Sequence, residues 1–144
     1  MPDTNHTFDV TTDWTAIELQ AFHDLYQSVN FGLGSGLDFS VDDMRQIFSP
    51  GVFGFFALDN ETLVGAARVF SDDIYCAWIA EICVHPNWQG NGIGGMLMEE
   101  INSRFGHTAL YGEAFKNQVD FFTKQGIKPK EKLVACSRAP LASS

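Results

Sequence analysis

The stretch that most constrains this chain runs from Glu81 to Met98, where an apolar run meets a proline, three alternating glycines and an amphipathic run. Residues 75–84 are rich in β-branched, aromatic and small apolar side chains, and His85-Pro86 ends them, because proline cannot donate to a ladder and holds its predecessor extended. A buried strand is predicted there. Beyond the glycines, Ile93, Met96, Leu97, Ile101 and Phe105 recur at helical spacing, with Glu99, Glu100 and Arg104 on the polar side. That predicts a helix packed on a sheet. Gly90, Gly92 and Gly94 let the backbone turn between them with several N–H groups converging at the positive end of the helix dipole. Such a turn suits a phosphate or diphosphate, although glycines there can also serve only to tighten a strand-to-helix connection.

Two phosphate motifs compete for these residues. Gly90-Asn91-Gly92-Ile93-Gly94-Gly95 formally satisfies G-x-G-x-x-G, yet five residues, His85 to Gln89, separate it from the strand, whereas a dinucleotide fold places its first glycine almost at the strand end. Gly90 and Gly95 have Walker spacing, but Met96 and Leu97 stand where Lys and Ser or Thr must grip phosphate and magnesium. The pattern that fits is Q/R-x-x-G-x-G/A, written as Gln89, Gly92 and Gly94 after Val84-His85-Pro86. It closely resembles the acetyl-coenzyme A loop of the GCN5-related N-acetyltransferase (GNAT) family. Asn117 to Ile127 is similar to the family's later N-x-x-A-x-x-F-Y-x-K-x-G-F helix, with Val119-Asp120 in place of the usual small residues. The resemblance covers about residues 50–136 and is general over the first 50. Within the family, Val64 to Asp72 and Val119 to Phe122 look like the small single-domain amine acetyltransferases, including the aralkylamine type.

With 144 residues, of which 45% are hydrophobic, the chain is long enough for one domain with a real core and short for two. The expected architecture is a single α/β (α+β) domain over residues 1–144, GNAT-like, with a mixed, mostly antiparallel sheet flanked by about four helices. Residues 8–10 are a first strand. Thr15-Ala16-Ile17-Glu18 has capping-box spacing for a first helix with Ile17, Ala21, Leu25 and Val29 on one face, and Ser40 caps a second helix reaching Phe48. Residues 52–58 and 63–70 form a hairpin across Asp59-Asn60-Glu61-Thr62, 75–84 completes a meander, and 108–111 is a strand parallel to it. A fourth helix opens near Asn117 and ends at Gly126, and residues 133–137 are read as a final strand.

Composition narrows the chemistry. Cys76, Cys83 and Cys136 are odd in number, lie in apolar surroundings and lack C-x-x-C spacing, so reduced core cysteines, a cytoplasmic setting and no metal site are expected. The N-terminus has neither the basic start nor the apolar core of a signal peptide, and no apolar run has transmembrane length. A net charge of −9 argues against nucleic acid and favours a cationic small molecule. Residues 1–115 hold sixteen acids against three arginines, while every lysine lies in 116–144. Lys116 and Lys124 are therefore placed beside the phosphates of coenzyme A, or on a solvated face.

An amine attacking a thioester must be neutral, and holding an alkylamine of pKa near 10.4 in that form at pH 7 costs roughly 4 to 5 kcal/mol. A nearby carboxylate that takes the proton relieves this cost. Glu81, ionisable within an apolar strand, is the candidate base; its alternative role is a structural partner for Arg68 or for helix-end N–H groups. A strand N–H of Cys83 or Val84 is the candidate oxyanion donor. The resemblance implies acetyl-coenzyme A as cofactor, bound by Cys83, Val84, Gln89, Gly90, Asn91, Gly92, Ile93, Gly94, Gly95, Asn117, Phe121, Phe122 and Lys124. It further implies an amine acceptor against Phe31, Leu33 or Phe39, and a possible homodimer. Where many relatives carry a tyrosine this chain has Phe122, so the phenol that protonates the leaving thiolate is missing, and Tyr111 is the nearest substitute. The reading is direct acetyl transfer to a primary amine of a small molecule. Acetylation of a protein N-terminus or lysine, and a non-catalytic coenzyme A-binding module, stand as alternatives.

Overall fold

The computed structural model describes residues 6–29, 40–139 and 141. The chain divides into two compact units, Met1–Gly112 and Glu113–Ser144. The first holds one five-stranded sheet in the order β1-β2-β3-β4-β5. Its strands are β1 Phe8–Thr11, β2 Val52–Asp59, β3 Thr62–Ser71, β4 Cys76–Val84 and β5 Ala109–Gly112. The first three pairings are antiparallel and the last is parallel, as the helical crossover requires. With four α-helices among the described residues, this is the mixed GNAT-like sheet expected above.

Alternation along β3 explains the layering. Ala66 belongs to an apolar cluster with Phe22, Leu25 and Tyr26 of α1 (Leu19–Ser28), Met44 of α2 (Val41–Ile47), and Phe48, Phe56 and Cys83. Its neighbour Gly65 faces the other way, and a methyl group built there would lie 3.0 Å from Ile93 and 3.3 Å from Leu97 of α3 (Ile93–Phe105). Phe53 and Phe55 meet Phe105 edge-on on that second face. The sheet is thus covered on both sides, and α3 lies close because β3 offers it glycine.

The Ser40 capping box forms with Asp43, but the one expected at Thr15 does not. Asp13 instead accepts from the Thr15 N–H and caps a 3-10 turn, Trp14–Ala16, so α1 begins only at Leu19 and buries Phe22, Leu25 and Tyr26. Two competing short polar caps sit within three residues, and the earlier one wins. The second unit contains a 3-10 turn, Lys116–Gln118, and the short α4, Val119–Lys124, closed by Gly126 at φ +86°. The final strand expected over 133–137 is absent: those residues are irregular, and Leu133 and Val134 are exposed. A short apolar run supplies a strand only when a partner edge takes up its N–H and C=O groups.

The close approach at Gly65 is testable. Gly65→Val should destabilise the protein by about 1–3 kcal/mol in urea unfolding, as overpacking does. Unchanged stability would mean that α3 can move away freely.

Candidate active site

The site begins with a fork. β4 pairs with β3 from Ala77 to Val84, but with β5 only from Cys76↔Ala109 to Ile79↔Gly112. A bulge lies at the point of divergence, where Arg68 opposes Glu81 and Val69 opposes Ile79, leaving Ala80 as the extra residue. Beyond it, one edge of β4 has no strand partner among the described residues.

The phase of the ladder decides which groups face that edge. His85 N–H bonds to the Val64 carbonyl at 2.8 Å, and successive N–H groups of a strand alternate in direction. Cys83 N–H therefore points to β3, while the N–H groups of Ile82 and Val84 point into the fork. Of the two expected oxyanion donors, Val84 has the open orientation. Its own carbonyl, on the same side, accepts from Gln89 Nε2 at 3.1 Å, so the Gln89 carboxamide braces the loop. The Cys83 side chain is buried, and burial with the nearby Glu81 carboxylate raises its pKa to about 12, which keeps the thiol protonated and inert.

The glycine-rich connection follows β4 out of the fork. His85 Nδ1 accepts from Asn87 N–H and caps a 3-10 turn, Pro86–Trp88. Gly90 (φ +88°) and Gly92 (φ +79°) are left-handed, and a Cβ on either would meet nothing within 4 Å. These glycines are needed for backbone conformation and open space, not for tight packing. Gly92 is the N-cap of α3 without a capping side chain, and helical bonding starts with Met96 N–H to the Gly92 carbonyl. The amides of Ile93, Gly94 and Gly95 thus precede the helical ladder, at the positive end of a 13-residue helix. Ile93 itself is buried, which anchors the turn, and Asn91 Nδ2 bonds back to the Trp88 carbonyl at 2.9 Å. Exposed glycine backbone beside unpaired amides suits a diphosphate.

Glu81 lies at the base of the fork on the α1 side. Arg68 grips it with Nε on Oε1 and with a terminal nitrogen 3.2 Å from Oε2, and Tyr26 Oη donates to Oε1 at 3.0 Å. Of the two roles expected for Glu81, the structure shows the pairing with Arg68. Burial, then the Glu81 charge, raises the Tyr26 pKa well above the ordinary phenol value, so its hydroxyl stays a donor. Adjacent on this face, Phe70, Trp78 and Tyr111 stand in register across three strands. The Trp78 and Tyr111 rings stack at 5.9 Å, Arg68 sits over Phe70 at 5.5 Å, and all three aromatics are roughly 40% exposed. No sequence period announces this row, because only strand register aligns it.

Asn117, Phe121, Phe122 and Lys124 belong to the second unit. Phe122 is buried with Phe121 edge-on at 5.2 Å, while Lys116, Asn117 and Lys124 are exposed. Phe31, Leu33 and Phe39 lie outside the described residues.

A family model described as an acetyltransferase (GNAT) domain matches residues 51–128, more than half of the chain. The chain belongs to the GNAT family. A curated relative, the uncharacterized N-acetyltransferase ycf52 of Gracilaria tenuistipitata var. liui, is 46% identical over 39 residues, and the match spans 27% of this chain and 21% of that protein. Among solved structures, an aminoglycoside acetyltransferase from an uncultured soil metagenomic sample, in complex with trehalose, superimposes with a TM-score of 0.76 at 19% identity, covering 96% of this chain and 99% of that one. A GNAT family acetyltransferase of Streptococcus pneumoniae TIGR4 gives 0.69 at 20% identity over 96% and 99% of the two chains. The ribosomal-protein-alanine N-acetyltransferase of Brucella melitensis biovar Abortus 2308 gives 0.69 at 16% identity over 93% and 100%. At these identities the likeness establishes the shared GNAT fold. Among the described residues, no helix is long and apolar enough to cross a membrane.

Sequence reasoning missed Asp59, a buried charged residue at the end of β2. Its Oδ2 accepts from Trp88 Nε1 at 3.0 Å and lies 2.6 Å from His6 Nδ1. The signal available was Trp88 itself, an indole donor beside the glycine loop that needs an acceptor when buried. The Trp88 bond, opposed by desolvation and assisted by His6, holds the Asp59 carboxyl below the ordinary aspartate pKa. Its stabilising contribution is therefore complete above about pH 4, the unfolded value, and vanishes as pH falls through the lower folded value. The stability advantage of the wild type over Asp59→Asn, followed by urea unfolding, should shrink on that acid limb. A gap constant down to pH 2 would contradict this.

Proposed function

We propose that the protein is an acetyl-coenzyme A-dependent N-acetyltransferase that moves an acetyl group directly onto a primary amine of a small molecule. The observation that carries this reading is the open fork ending in unpaired amides at the N-terminus of α3. The amides of Ile93, Gly94 and Gly95, with Gly90, Asn91 and Gly92, would hold the diphosphate of coenzyme A, and Val84 N–H would face the acyl end. Acetyl-coenzyme A supplies the activated thioester. The loop fits it because exposed glycines leave room beside donors that no side chain caps. Family resemblance assigns Asn117, Phe121, Phe122 and Lys124 to cofactor binding, the basic balance of residues 116–144 adds Lys116, and Cys83 contributes a buried wall rather than a nucleophile.

Glu81 is the proposed base. A carboxylate offers about four acceptor positions, and three are taken by Arg68 and Tyr26, so its partly exposed side chain keeps capacity for the ammonium proton. Val84 N–H would stabilise charge developing on the acetyl oxygen. The thiolate then needs a proton, for which Tyr111 is proposed, since Phe122 has no hydroxyl. Nucleophilic help from Cys83 is unnecessary, because the amine itself attacks.

For the acceptor, the row Phe70, Trp78 and Tyr111 favours a monoamine with a flat or extended apolar body, in keeping with the resemblance to amine acetyltransferases of the aralkylamine type. Nearby carboxylates are already engaged: Glu81 with Arg68, Asp72 with the N–H groups of Ile74, Tyr75 and Cys76, and Asp73 with Arg104 and His107. A polycation would therefore find none of these three carboxylates free. Phe31, Leu33 and Phe39 remain proposed acceptor contacts. One observation favours a second reading: the absent phenol at Phe122 suits a coenzyme A-binding module without turnover.

Thiol release from acetyl-coenzyme A, measured across an amine panel from ethylamine to phenylethylamine and an aminoglycoside, separates these readings. Release is expected and should be fastest with phenylethylamine. Glu81→Gln should lower kcat about 100-fold while leaving the KM for acetyl-coenzyme A within about twofold. Coenzyme A binding without release from any amine would support the module.

A further inference from the structure

The glycine loop has an unusual support problem. Gly90 and Gly92 carry no side chains, and nothing lies within 4 Å of the position a Cβ would take on either. The loop cannot be held in place from above. Its position must be fixed at its two ends, and one end is secured by Ile93 and Leu97, both buried residues of α3 itself.

The other end is Trp88, two residues before Gly90. Its backbone N–H bonds to the His85 carbonyl at 2.9 Å, its ring meets His85 edge-on at 5.2 Å, and its carbonyl receives the Asn91 side chain from within the loop. Its indole N–H, at 3.0 Å from Asp59 Oδ2, is the tie from this segment to a different part of the sheet. Asp59 is itself fixed. It stands opposite Phe8 at the end of the β1–β2 ladder, His6 approaches the same oxygen at 2.6 Å, and the His6 and Phe8 rings are stacked. Asn60 N–H, bonded to the Thr7 carbonyl at 3.0 Å, closes the same corner.

We infer that Asp59 is a positioning residue for diphosphate binding: through Trp88 it sets the glycine loop before the cofactor arrives. The inference rests on the proposed coenzyme A reading of the loop. A preset loop has fewer arrangements to lose on binding, so the clamp acts on affinity for ligands that use the loop and leaves the acyl-transfer step alone. Removing the indole N–H while keeping an aromatic ring isolates that effect. Breaking the clamp should therefore penalise coenzyme A selectively over a donor that ends before the diphosphate.

The experiment compares wild type, Trp88→Phe and Asp59→Asn with two donors, acetyl-coenzyme A and S-acetylpantetheine, and adds calorimetric titration with coenzyme A. Trp88→Phe is expected to weaken coenzyme A binding and raise the KM for acetyl-coenzyme A about tenfold, the scale of one charge-assisted hydrogen bond. Its kcat, and its kcat/KM for S-acetylpantetheine, should stay within about twofold of wild type. Asp59→Asn keeps an acceptor oxygen for the indole and should show the same selectivity at smaller size; it carries the test should Trp88→Phe not fold. Equal losses on both donors, or no loss of coenzyme A affinity in a folded variant, would overturn the clamp. A wild type that binds coenzyme A no better than pantetheine would overturn the diphosphate reading itself, and the clamp with it.

Discussion

The divergence of β4 from β5 after Ile79 is the constraint on which the rest of the site depends. Two strands joined by a helical crossover lie side by side only as far as their register holds. Where it ends, β4 keeps its β3 partner and presents its other edge. That single fact exposes Val84 N–H and directs the strand into the turn that starts α3. It also leaves the helix N-terminus facing a gap instead of a neighbouring strand. The bulge at Ala80 falls at the same level, so Glu81 enters the site where pairing geometry is already interrupted.

Around this fork the chain keeps polar groups satisfied without closing the site. Glu81 and Arg68 are both largely buried, with side chains 15% and 17% exposed, and they bond to one another and to Tyr26. Among the described residues, no buried side-chain nitrogen or oxygen lacks a partner. A buried ion pair is weak evidence for stability, since desolvation offsets much of the attraction. Its more informative feature is location, between the aromatic row of Phe70, Trp78 and Tyr111 and the open edge of β4.

Local signals were legible where a single segment decides its own geometry. The proline-stopped strand, the left-handed glycines, the α3 stripe of Ile93, Leu97, Ile101 and Phe105, and the Ser40 cap all follow from residues within one or two turns of each other. What remained hidden depends on pairing between distant segments. Asp59 and Trp88 are 29 residues apart, and nothing in either segment names the other. The choice of Val84 over Cys83 as the outward N–H requires the ladder's phase, which one bond from His85 to Val64 fixes. The Thr15 box failed because Asp13 offered the same cap earlier. Residues 133–137 failed because a short apolar run cannot specify a partner edge. Arg68 was one of the two structural partners expected for Glu81, the other being helix-end N–H groups, and it is the one that pairs.

The central claim is that the amides between Val84 and Gly95 are the groups that receive the cofactor. Amide chemical shifts in an assigned proton–nitrogen spectrum, followed while coenzyme A is added, address it most directly. Val84, Gly90, Gly92, Ile93, Gly94 and Gly95 should show the largest and saturable changes, with the buried β2 amides of Phe55 to Ala57 nearly still. Saturable binding that leaves those fork amides unmoved, with the changes concentrated elsewhere, would contradict the account.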